Sequence, residues 1–484
     1  MKNPFSSPAP ARGTLVVLAL MIAHVLVKVA ALPVVLRTPL QGDEVTYDRA
    51  AAAIADAIRS LVSGRGLPVA ELQDTVIDHG WFMPGTPLLL GPLHLLDPDP
   101  SLAAVRLWMG TLTLVGFLGA VWAIRVWAGW GYAAALLVVP GLVPLWVLFS
   151  FTIWGDLAAG VALILVVALL MRWWGRIAAG EDVRVRDGLV LGLALAVTLY
   201  LRSSALPLVA GVLALVTLAV LALTRGRRLR RSLVGVAVAA ATFAALLLPW
   251  SVAVSKTFDH RVVTTTTVPI SMAYAFGDRD QLCLGPCPAG NPWYAMTHYA
   301  AEVERKTGEN QLDVQRRMSD YALRGVTPRS YASAVAQNAH RYVLEPTGFA
   351  LIFRVRGEGV DPAAFTMNPP SAASDAVVTL TNVMYFLTLA LGAIGLLAVR
   401  RLPARAQVIA ILAGLLTAAL MLQPFVHVSS PRYWPVFLPM LTLSAAGLFV
   451  RSDPEQSNRW LRRIHGAVAA GWVVVVAAVA VLAW

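Results

Sequence analysis

Apolar residues run through this chain in long blocks, separated by short polar and basic segments. A helix that crosses a membrane needs about 20 such residues, because the hydrocarbon layer is about 30 Å thick and each helical residue rises about 1.5 Å. Eleven stretches meet or approach that length: residues 14–36, 102–124, 131–149, 155–171, 188–201, 204–223, 233–254, 377–399, 406–424, 433–450 and 465–483. The fifth is short and is followed by Arg202, which marks a partial span or a broken helix. The pattern predicts an all-α polytopic membrane protein.

Two polar segments interrupt it. Residues 37–100 follow the first span and hold an amphipathic stretch, in which Ile54, Ile58, Leu61 and Val62 recur at helical spacing and so lie along a membrane surface. Residues 255–376 carry twelve basic and twelve acidic residues and read as a small mixed domain. Within it, 297–343 predicts two helices broken at Gly325 to Pro328, and Val262 to Val268, with four consecutive Thr, predicts extended chain. The chain divides into an N-terminal transmembrane module (1–254), this domain (255–376) and C-terminal transmembrane helices (377–484).

Composition agrees with the spans: 58% of residues are hydrophobic and 14% charged, too apolar for a soluble core. The net charge of +12 sits in short runs between apolar stretches rather than on one soluble face, which argues against a nucleic-acid partner. Runs such as Arg225, Arg227, Arg228, Arg230 and Arg231 alternate with segments poor in Lys and Arg, and 37–100 holds nine acidic against four basic residues. By the positive-inside rule the N-terminus is cytoplasmic, and both polar segments and the C-terminus face outward. The first stretch, about 23 residues without a clear Ala-x-Ala site, reads as a span rather than a cleaved signal. Ala- and Arg-rich usage points to a bacterium with GC-rich DNA, hence a plasma-membrane protein and an undecaprenyl or decaprenyl carrier lipid. Cys283 and Cys287 are the only cysteines, and a local disulfide and two free thiols are both open.

The first polar loop offers chemistry in Gln41-Gly42-Asp43-Glu44-Val45-Thr46-Tyr47. A carboxylate held at the interface can take a proton from an attacking hydroxyl or amine, as a general base. Equally, Asp43 or Glu44 can cap the helix that follows.

The order of landmarks along the chain resembles the C-type membrane glycosyltransferases, in the branch of protein mannosyltransferases and lipid A aminoarabinose transferases. The landmarks are Asp43-Glu44-x-x-Tyr47, Met83-Pro84-Gly85-Thr86-Pro87, Trp154-Gly155-Asp156, Pro249-Trp250 and Pro431-Arg432-Tyr433. The resemblance implies a lipid-linked monosaccharide donor, inverting single displacement, and a catalytic carboxylate at Asp43 with Glu44 adjacent. Asp156 matches an acidic position of the family, with capping of its helix as the alternative. Relatives often carry an Arg-Asn pair after Pro249-Trp250; here the run is Ser251 to Lys256, with Lys256 as a substitute point charge.

A phosphate leaving group needs fixed positive charge where negative charge develops. Arg202 and Arg432 stand at the outer ends of spans and suit that task, the alternative being snorkelling to lipid headgroups. Tyr47, His79 and Tyr433 are candidate substrate contacts; His427, Trp81 and Arg106 are weaker ones, open to belt or solvated roles. The expected partners are a polyprenyl-phosphate sugar, a lipid, glycan or protein acceptor, and the membrane. No required cofactor is expected, although a divalent cation bridging Asp43 and Asp156 is conceivable by analogy. Rival readings are a transporter or lipid flippase, which would favour repeated halves and polar residues at midplane, a polysaccharide ligase or polymerase, which would carry its key loop late in the chain, and a scaffold.

Overall fold

A computed structural model describes residues 11–290, 292–348, 372–449 and 459–483. Its helices run in chain order α1 (Ala11–Val35), α2 (Asp43–Val62), α3 (Val69–Leu72), α4 (Gly85–Leu96), α5 (Leu102–Trp127), α6 (Trp130–Val138), α7 (Pro144–Phe149), α8 (Gly155–Ala178), α9 (Val185–Leu201), α10 (Leu206–Leu223) and α11 (Gly226–Thr257). The polar insert contributes α12 (Val268–Phe276), α13 (Pro292–Thr307), α14 (Gln311–Leu323) and α15 (Pro328–Leu344). After it come α16 (Ala372–Leu397), α17 (Ala404–Leu420), α18 (Trp434–Ala446) and α19 (Arg459–Ala483).

The apolar blocks fold as helices because hydrocarbon supplies no partner for an open backbone N–H or C=O. Among the described residues α1, α5, α8, α10, α11, α16 and α17 are long and apolar enough to cross a membrane, and the protein is a multi-pass, all-helical membrane protein. Of the other four expected spans, 465–483 falls within α19 and three take different forms. The 131–149 stretch is split into α6 and α7, since Pro140 lacks the N–H that would continue the first helix. The 188–201 stretch is α9, which has 17 residues, and the 433–450 stretch is α18, which has 13.

Helices α8 and α18 form the centre. Helix α8 packs on α5, α9 and α18, while α18 also meets α16 and α17, and every residue of α18 is buried. In α2 the alanines Ala50, Ala51, Ala53, Ala55 and Ala57 are buried, Ile54 is half-buried, and Ile58, Leu61 and Val62 are exposed.

The polar insert is helical, not mixed. Among the described residues it contains no strand; the Thr run is irregular chain pinned from both sides, with Trp250 Nε1 donating to the Thr264 carbonyl (2.6 Å) and Thr266 N–H to the Gly80 carbonyl (2.8 Å). The expected pair of helices is three, because Gly308, at φ +73°, ends α13, and the Asn310 side chain caps α14 by accepting from Leu312 N–H. Ile270, Met296, Val314 and Met318 give this insert a core of its own, and Cys283 and Cys287 are joined beside it as a disulfide.

Candidate active site

A cavity of about 510 Å³ opens where four separated segments meet. The start of α2 supplies Asp43 and Tyr47, and the start of α8 supplies Trp154 and Asp156. The break between α9 and α10 supplies Arg202, and the segment before α18 supplies Gln423, His427, Arg432 and Tyr433. The insert closes one side with Tyr274, Trp293 and Tyr294.

Backbone packing sets these positions. Helix α9 stops at Arg202, whose φ of −151° is extended, and α10 restarts with Pro207 in its first turn. Irregular backbone at such depth is tolerated where it lines a cavity. The last turn of α9 is gripped from two sides: a side chain at Gly85 would run into the Tyr200 carbonyl, and one at Gly155 into the Leu201 carbonyl. The landmarks Pro84-Gly85 and Trp154-Gly155-Asp156 therefore meet the chain immediately before Arg202.

Charged side chains form a connected group across the cavity floor. Arg432 Nη2 donates to Asp43 Oδ2 at 2.6 Å, and Arg432 Nε lies 3.6 Å from Asp156 Oδ2. Arg202 donates to Asp156 and to the Gln423 side-chain oxygen, with its guanidinium 4.3 Å from the Tyr433 ring centre. Burial opposes the Arg432 charge, but the hydrogen-bonded Asp43 carboxylate outweighs it and holds the guanidinium above its ordinary range. Burial, then the Asp43 charge, raise the Tyr47 phenol, so Tyr47 stays a neutral donor. Burial chiefly, and then Arg202 and Arg432 against an opposing bond to the Val428 carbonyl, bring His427 down to about 4.

Asp43, Asp156, Arg202, Arg432, Tyr47 and Tyr433 thus share one cavity. Neither aspartate makes a side-chain cap at the start of its helix, and Arg202 is buried against Asp156 rather than extended toward lipid.

Three expected residues lie elsewhere. The Glu44 side chain is wholly buried, its carboxylate taken by Arg106 (Nη1–Oε1 2.5 Å, Nη2–Oε2 2.9 Å) and by the N–H groups of Ile153 and Gln41. With its oxygens occupied it has no access to the cavity, and Arg106 is correspondingly a buried tie, not a solvated or belt residue. Lys256 is exposed at the end of α11 and does not line the cavity. His79 stands beside Trp81 (ring centres 5.3 Å apart) and near His298, one ring removed from the cavity.

Gln423, Ser203, Ser204, Trp293 and Tyr294 line the site without having been singled out in the sequence. Only Gln423 carries a signal, as a polar residue closing an apolar span. Asp43 and Asp156 are each engaged by guanidinium groups, and among the described residues no three His, Cys, Asp or Glu side chains come together.

No protein-family model matches the sequence, and no curated protein matches it. Two solved structures are similar. One is the crystal structure of ArnT from Cupriavidus metallidurans bound to undecaprenyl phosphate, at 14% identity over 91% of this chain and 79% of that one, with a TM-score of 0.37. The other is the same protein in the apo state, at 16% identity over 90% and 78%, with a TM-score of 0.36. Both superpositions are loose.

Proposed function

We propose that this protein is a glycosyltransferase that moves a monosaccharide from a polyprenyl-phosphate donor to an acceptor at the extracytoplasmic face of a bacterial plasma membrane. The observation that carries the reading is the convergence of Asp43 with Arg202 and Arg432 in one cavity beside apolar Leu206, Leu422 and Val426. Paired guanidinium groups suit a phosphate, and the apolar edge suits the first isoprene units attached to it.

In the reaction an acceptor oxygen or nitrogen attacks the anomeric carbon from the side opposite the phosphate. Its proton passes to the Asp43 carboxylate as the carbon–oxygen bond to phosphate breaks, and the phosphate leaves with the bonding pair. Arg432 and Arg202 stabilise the charge that collects on the departing oxygen. Asp156 acts through these arginines, holding both guanidinium planes, and is a positioning residue. Configuration inverts, because one displacement does the work.

The Cys283–Cys287 disulfide supports placing the insert, and with it the cavity, on the oxidising side of the membrane. The test is turnover by the purified protein in liposomes supplied with undecaprenyl-phosphate hexoses and pentoses and a glycolipid extract. Release of undecaprenyl phosphate that requires Asp43 supports the reading; a protein that moves donor across the bilayer without cleaving it overturns the reading in favour of a flippase.

A further inference from the structure

The side of the cavity formed with the polar insert is aromatic. Trp81, Tyr274, the adjacent Trp293 and Tyr294, and His427 come from four separate segments, and all five line the cavity. Trp81 is central, its ring centre 5.4 Å from Trp293 and 6.0 Å from Tyr294. Trp293 in turn lies 5.7 Å from Tyr274, edge to face, and 6.0 Å from His427. Burial and then the Asp43 charge raise the Tyr294 phenol, which places this wall within electrostatic reach of the carboxylate.

Two features bear on what this wall holds. Trp81 is 7% exposed, and its indole Nε1 finds no hydrogen-bond partner. A buried donor left unpaired calls for an explanation. Beside the rings, the same cavity is lined by Thr264, Thr265 and Thr267, the last two with their hydroxyls 3.0 Å apart.

We propose that this wall is the acceptor subsite and that the acceptor presents a sugar ring to it. A sugar has an apolar C–H face, which settles on the electron-rich face of an indole or phenol, and a hydroxyl rim, which pairs with an indole N–H and threonine hydroxyls. An aliphatic acceptor would use the rings and leave the Trp81 N–H unpaired. The inference rests on the transferase reading, since it is Asp43 that gives a bound hydroxyl its consequence. It adds the acceptor class, a glycan or glycolipid, and separates the acceptor from the donor phosphate at Arg202 and Arg432.

The test is saturation-transfer NMR on the full-length protein in nanodiscs, with octyl hexopyranosides and octyl pentofuranosides as probes, 1-octanol as the apolar control, and hexose and pentose 1-phosphates as donor mimics. The expected result is transfer to ring C–H protons for at least one octyl sugar, not displaced by octanol and weakened about threefold to tenfold in Trp81→Phe and in Trp293→Leu. No sugar contact across the panel, or equal displacement by octanol, overturns the proposal. A sugar 1-phosphate that binds at least tenfold tighter than the matching octyl sugar, and loses that gain in Arg432→Ala, shows that the wall holds the donor's ring and overturns the acceptor assignment. The wild-type measurements decide the matter even where a variant fails to fold. Sugar contact without binding of undecaprenyl phosphate would refute the transferase reading alone; the reverse would refute this subsite alone.

Discussion

Arg432 Nη2 rests 2.6 Å from the Asp43 carboxylate, joining residues 389 positions apart in the sequence. A phosphate entering the cavity competes with Asp43 for that guanidinium, so donor binding and release of the base are one event. Asp43→Asn should cut sugar transfer by about 10²- to 10⁴-fold, the usual contribution of a general base. Affinity for undecaprenyl phosphate should hold or rise, because Arg432 then has one competitor fewer. Turnover in liposomes and a direct lipid-binding titration give the two numbers, and weakened lipid binding in this variant would contradict the competition.

Arg432→Ala should act on the other half of the pair. Loss of a charge-assisted hydrogen bond to phosphate costs about 1.5–3 kcal/mol, or roughly ten- to a hundredfold in undecaprenyl phosphate affinity. Arg432→Lys should recover only part of it, because a point charge cannot keep the reach to both Asp43 and Asp156 that a planar guanidinium has. The same titration checks both variants; unchanged affinity in Arg432→Ala would return this arginine to a headgroup role.

Glu44 and Arg106 should behave as a stability pair. Both side chains are essentially inaccessible, so Glu44→Ala strands a buried guanidinium and should cost about 3–5 kcal/mol. The joint variant Glu44→Leu with Arg106→Met should recover much of that loss. Melting temperature in detergent reads both, and a Glu44→Ala protein that melts normally but fails to turn over would restore Glu44 to the chemistry.

His427 makes stability depend on pH in one direction. Its folded value near 4 lies below the ordinary 6.5, so between these values the unfolded chain binds the proton and the folded chain does not. The stability held above pH 6.5 is lost as pH falls toward 4, at up to about 1.4 kcal/mol per pH unit. His427→Gln should flatten that slope in a melting-temperature series from about pH 7 to 4, and an unaltered slope would assign it to another group.

Much of the fold was legible because lipid leaves a chain few options: an apolar block becomes a helix, and basic residues such as Arg125 and Arg225 mark where blocks end. Gly325 to Pro328 announced its break for a similarly local reason, a residue without a side chain followed by one without an N–H. What the sequence could not reveal was which partner each charge would meet. Asp43 and Glu44 are neighbours of the same type, yet the helical turn sends one into the cavity and the other into a sealed pocket against Arg106. That choice depends on α5, whose arginine lies 62 positions further on. The Thr run misled for a related reason: β-branched residues favour extended chain, but here their backbone is tied to α11 and to Gly80 rather than to a second strand.

Gly85 and Gly155 carry no side chain, yet both back directly onto the final turn of α9. A single added methyl at either would lever that turn aside and carry the Arg202 guanidinium out of register with its carboxylate. The cavity therefore has a hard frame, and variation among related chains should be least forgiving at two positions that perform no chemistry at all.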